Sequence, residues 1–111
     1  MRRLLLLAAS LGLWASLLPA SAQDLVVKIG HAGPLSGPQA NAGRDNERGV
    51  KLAIADLNAQ DFRIGGRRAR FELVSEDDQG DPRTGTQVAQ KMVDTGVRAV
   101  IGHYNLSLIH I

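Results

Sequence analysis

The sequence predicts an α/β domain in which three parallel strands are joined by two crossover helices, preceded by an apolar signal helix. Three observations carry this reading. Short β-branched runs alternate with apolar stripes at helical spacing, in the order strand, helix, strand, helix, strand. The first run ends in a glycine- and proline-rich stretch, residues 30–38, of the kind that forms a loop at the carboxyl end of a strand. An export-type leader runs directly into that first strand, so a single exported domain follows it.

The leader occupies residues 1–22. Arg2 and Arg3 form a basic start, residues 4–18 an apolar stretch short for a membrane span, and Ala20-Ser21-Ala22 a small-residue cleavage site. Cleavage is expected before Gln23. A retained anchor is the competing reading, opposed by Pro19 and the small residues after it. A twin-arginine signal is opposed by the leucine-rich segment that begins at once.

Removing the leader changes the charge. Lys and Arg fall from 13 to 11 with the loss of Arg2 and Arg3, whereas all 11 Asp and Glu lie beyond residue 22. The remaining 89 residues are therefore neutral, and the basicity of the whole chain argues for no nucleic-acid or membrane-surface partner. With no cysteine, a disulfide framework, a thiolate metal site, a cysteine nucleophile and a lipidated amino-terminal cysteine are all excluded. Eighty-nine residues supply one small core, and the chain shows no internal repeat or low-complexity tract.

Residues 25–29 read as the first strand, rich in Val and Ile. Residues 39–58 read as a helix, with Val50, Ala53, Ile54 and Leu57 on one stripe and charged residues mostly elsewhere. Residues 61–68 break the pattern at Gly65-Gly66, and residues 69–76 form the second strand around Phe71, Leu73 and Val74. Asp81 followed by Pro82 is a helix start: the carboxylate accepts otherwise unbonded amides, and Pro at the first helical position loses nothing by lacking an N–H. Val88, Ala89, Met92 and Val93 make the expected buried stripe of this helix, and Gly96 is placed to end it in a left-handed cap. Residues 97–102 form the third strand.

Four stretches carry a resemblance. Val27-Lys28-Ile29-Gly30-His31-Ala32-Gly33-Pro34-Leu35-Ser36-Gly37, the helix end Ala53-Ile54-Ala55-Asp56-Leu57-Asn58, the turn Glu76-Asp77-Asp78-Gln79-Gly80-Asp81-Pro82, and Val100-Ile101-Gly102-His103 stand in order at suitable spacing. Together, over residues 25 to about 105, they resemble the amino-terminal lobe of the leucine/isoleucine/valine-binding protein family. These are type I periplasmic solute-binding proteins that feed ATP-driven branched-chain amino acid importers.

The resemblance implies a hinged, two-lobed receptor of which this chain holds the start of the amino-terminal lobe. Residues 23–105 are the partial lobe and residues 106–111 an atypical tail. It also implies strand order 2-1-3, in which the winding reverses at the first strand and a crevice opens between the carboxyl ends of strands one and three. Ser36 and Gly37 in the first loop, and Tyr104, Asn105 and Ser107 after the third strand, are the residues it assigns to ligand contact. A small hydroxyl residue would follow Asn105 in the family, where Leu106 stands, and Ala42 stands near where the family often places an aromatic. The ligand implied is an amino acid or similar zwitterion, the partners a membrane permease and an ATPase, and the location the periplasm.

Other groups have plainer readings. Glu76, Asp77, Asp78 and Asp81 could cluster around a divalent cation, but a strand end followed by a helix cap accounts for them. His31, His103 and His110 lack metal-ligand spacing, and His31 and His103 stand either near the crevice or as hydrogen-bonded structural groups. Gly30 and Gly33 lack the spacing of a dinucleotide loop, so no cofactor is expected. Arg67, Arg68 and Arg70 read as a solvated turn, or as a patch for an anionic partner. No catalytic residue is assigned. An exported hydrolase would need a nucleophile elbow, and no G-x-S-x-G occurs; a receptor's sensing domain would share this lobe.

Overall fold

The computed structural model describes residues 23–109. The leader expected at residues 1–22, the end of the atypical tail at residues 110–111 and, with it, His110 lie outside the described residues. In chain order the elements are β1 (Leu25–Gly33), α1 (Ala40–Ala59), β2 (Arg63–Ile64), β3 (Arg67–Asp77), α2 (Pro82–Asp94), β4 (Ala99–Ile101) and α3 (Leu106–Ile109).

They build an α/β unit around one mixed sheet with strand order β2-β3-β1-β4. The expected three-stranded, all-parallel sheet is corrected on two counts: there are four strands, and β2 runs antiparallel to β3. The source of the correction is local. Gly65 and Gly66 take φ of +58° and +79°, making a two-residue hairpin turn with both central residues left-handed, which joins antiparallel strands and not a crossover. The three longer strands pair in parallel, β1 lying between β3 and β4, with Ile29 opposite both Leu73 and Ala99.

β1 also outlasts its expected end. His31, Ala32 and Gly33 continue the strand against Ser75, Glu76 and Asp77. Their glycines serve packing: a Cβ on Gly30 would stand 2.8 Å from the Met92 sulfur and 3.0 Å from Val97 Cγ1, so α2 lies directly on this face of the strand. A Cβ on Gly33 would meet His31 and Gly43 of α1 on the opposite face. The two helices thus cover opposite sides of β1.

Under α2 the core is Ala32, Val88 and Met92, with Val97 against them. The expected stripe of that helix is narrower than four residues: Val88 and Met92 are buried, whereas Ala89 is exposed and Val93 is 71% exposed. Val88 and Met92 lie one turn apart over β1. On α1, Val50 is buried and Ile54 and Leu57 are half-buried, while Ala53 points outward.

The ends of α2 follow the local rules. Asp81 Oδ1 accepts from Thr84 N at 2.9 Å, and Pro82 opens the helix. At the far end Gly96 N bonds Val93 O and Val97 N bonds Met92 O, each at 3.0 Å, with Gly96 at φ +76°. This paired closure satisfies two terminal carbonyls and turns the chain towards β4.

Candidate functional site

Because β1, β3 and β4 are parallel, the loops that leave them emerge on one edge of the sheet. These are residues 34–39, 78–81 and 102–105. Each pair of loops is joined by a side chain. Asp77, at the end of β3, accepts from Leu35 N at 2.8 Å and ties the first loop to the second. His103 Nδ1 donates to Asp78 Oδ2 at 2.8 Å and ties the third to the second. Asn105 Nδ2 donates to Gln39 Oε1 at 2.5 Å and ties the third to the first.

The acidic turn is the hub of this arrangement. Asp77 also accepts from Gln79 N, and Asp78, fully buried, accepts from Gly80 N at 2.9 Å. Burial acts to raise the Asp77 pKa, but hydrogen bonds from the Ser36 hydroxyl and from the Gln79, Leu35 and Ser36 amides outweigh it and hold the carboxyl below its usual range. Glu76 turns to the other face and pairs with Lys91 at 2.7 Å, while Asp81 caps α2. The four acids named as a possible cation cluster therefore go to four separate partners. Among the described residues, no group of three or more His, Asp or Glu is arranged to hold a metal ion.

Of the residues assigned to ligand contact, Ser36 and Gly37 are exposed on the first loop, and Tyr104 is half exposed on the third. Asn105 is half-buried, with its amide nitrogen engaged by Gln39 and its Oδ1 buried without a partner. Ser107 lies in α3 and is exposed. The fold thus brings Ser36, Gly37, Tyr104 and Asn105 to one edge.

The two described histidines separate. His31 faces α1, where its Nδ1 lies 3.3 Å from Ser75 Oγ. Burial lowers the His31 pKa, against the opposing charges of Glu47 and Asp78 and with the aid of Lys51. His103 faces the α2 side, next to Gly85. The arginines are engaged locally: Arg67 bonds the Gln23 and Asp24 carbonyls, Arg68 approaches Asp61 at 3.7 Å, and Arg70 pairs with Glu72.

Residues 26–108 match the family model described as periplasmic binding protein. The chain belongs to the periplasmic binding protein family. Among curated relatives it is 43% identical over 83 residues to Leu/Ile/Val-binding protein homolog 2 of Brucella abortus, covering 74% of this chain and 21% of that one. To the Leu/Ile/Val-binding protein of Escherichia coli it is 37% identical over 78 residues, covering 69% and 20%. The chain therefore spans about a fifth of the length of these relatives.

Among solved structures it resembles a branched-chain amino acid transporter substrate binding protein of Streptococcus pneumoniae in complex with isoleucine. The TM-score is 0.67 at 27% identity, covering 77% of this chain and 24% of that one. An ABC transporter substrate-binding protein from Sphaerobacter thermophilus gives 0.65 at 29% identity, covering 78% and 22%.

Within this periplasmic binding protein segment, three site-building residues escaped the sequence reading as such. Asp77 and Asp78 read as a strand end, although an Asp-Asp-x-Gly run is itself a signal for side chains that bond the following turn. Gln39 gave no signal, because its partner lies 66 positions away.

Proposed function

We propose that this chain is the start of the amino-terminal lobe of the substrate-binding component of an ABC importer for branched-chain or related amino acids. The likeness to Leu/Ile/Val-binding proteins over most of residues 26–108 is the observation that carries this reading. In it, residues 1–22 are a signal peptide cleaved after Ala22, residues 23–105 are the partial lobe, and the product works in the periplasm. Ser36, Gly37, Tyr104, Asn105 and Ser107 line one side of a crevice closed by a second lobe.

The chemistry asked of this edge is recognition alone. Hydroxyl and backbone groups of the first and third loops offer hydrogen bonds to the carboxylate and ammonium of a zwitterion, and contacts spanning both lobes favour the closed state. No proton transfer or nucleophile enters the scheme, so the protein is not an enzyme. The closed form is then presented to a membrane permease driven by an ATPase.

Calorimetry tests this on the protein from the complete reading frame, titrated with leucine, isoleucine, valine, amides, urea and aromatic acids. Heat is expected with at least one aliphatic amino acid. Silence across the whole panel would remove the transport reading.

A further inference from the structure

We propose that Gln39 is a positioning residue for solute capture, holding the loop after β4 against the loop after β1 through the Asn105 side chain. The inference rests on the solute-binding reading above and concerns a residue that would touch no ligand itself. Of the three ties that lace the carboxyl edge, the Asp77–Leu35 and Asp78–His103 bonds both run through the β3 loop. Gln39–Asn105 is the one among them that joins directly the two loops flanking the crevice.

Three observations make Gln39 a strut. Its backbone is fixed, since its carbonyl accepts from Gly43 N at 3.1 Å in the first turn of α1. It occupies the cap position of that helix yet makes no side-chain capping bond, so its amide is free to reach across to Asn105. Gly80 lies beside the pair, since a Cβ there would stand at ordinary contact distance, 3.4 Å from Gln39 Oε1 and 3.6 Å from Asn105 Oδ1.

Asn105 depends on this bond. Its Oδ1 is buried with no partner, so the bond to Gln39 is the amide's compensation for leaving water. Without the Gln39 carbonyl, the Asn105 amide gains more hydrogen bonds by turning out to solvent. The turn would carry Tyr104, the adjoining residue, away from Ser36 and Gly37. A crevice that must reassemble on binding holds its ligand less tightly.

The test uses Gln39→Leu and Gln39→Glu in the protein from the complete reading frame. Hydrogen exchange over residues 103–105 is followed without ligand, and affinity is followed by calorimetry. Gln39→Leu should speed that exchange and weaken binding about threefold to tenfold, the equivalent of one neutral hydrogen bond, with the melting temperature little changed. Gln39→Glu keeps an acceptor and should hold affinity within about twofold of the unaltered protein. In an Asn105→Ala background the Gln39→Leu loss should vanish, since the two act as one unit.

Unchanged exchange, unchanged affinity, or an undiminished loss in the Asn105→Ala background each overturns the proposal. An unaltered protein that takes up no solute overturns the functional reading instead, and the exchange experiment still decides whether Gln39 holds the loop.

Discussion

The Asn58 side chain binds both backbone groups of Phe71: Nδ2 donates to the carbonyl at 2.9 Å, and Oδ1 accepts from the N–H at 2.8 Å. Beyond the two residues paired with β2, the outer edge of β3 has no strand beside it among the described residues. The Asn58 amide, at the last turn of α1, stands in for one residue of that missing strand. It fixes the helix end to the sheet, and Phe71 then packs edge-on against Phe62 at 5.9 Å.

Replacing Asn58 with Leu leaves both Phe71 groups half-buried without partners. A loss of about 2–4 kcal/mol is expected, read from the urea midpoint at constant slope. Asn58→Asp keeps the acceptor and loses the donor, so its midpoint should fall between the two.

Two glycines of α1 should respond with opposite signs. A Cβ on Gly43 would sit 2.0 Å from the Pro34 carbonyl oxygen, a clash with main chain that no side-chain rotation relieves. Gly43→Ala should therefore cost about 3 kcal/mol or more and disturb the first loop with it. Gly49 has open space around the same position, so Gly49→Ala should stabilise by up to about 1 kcal/mol through helix propensity. Thermal melts of the two variants separate these outcomes.

His31 sets an acid dependence. Its pKa is lowered in the folded protein by burial, so the unfolded chain takes up a proton first as the pH falls. The contribution to stability is full above the unfolded value of about 6.5 and is lost as the pH falls through the lower folded value. Urea midpoints measured from pH 7.5 to pH 5 should decline more in the native protein than in His31→Gln. Parallel declines would assign the acid sensitivity to other groups.

The features legible in the sequence are those whose cause lies within a few residues. Asp81, Pro82 and Gly96 mark the ends of α2 because a cap bonds the turn beside it. The i, i+4 pair Val88 and Met92 shows the inward line of the same helix. What was misread depended on distant partners. His31 to Gly33 look like a loop in a glycine-rich run, yet β3 supplies their ladder 44 positions later. Gly65-Gly66 reads as a break until Arg67 and Arg68 are seen to fold back on Ile64 and Arg63. Ala89 and Val93 have the spacing of core residues, yet both side chains are exposed.

The sequence by itself determined the α/β alternation, the two crossover helices and the family, because periodicity and turn chemistry act locally and four short motifs survive in order. Only the tertiary structure decided which side chains meet at the carboxyl edge: Asp77 with Leu35, Asp78 with His103, Gln39 with Asn105. The reason is that parallel strands bring together loops separated by whole crossovers, so the partners in each tie stand 25 to 66 positions apart and no local pattern can record their pairing.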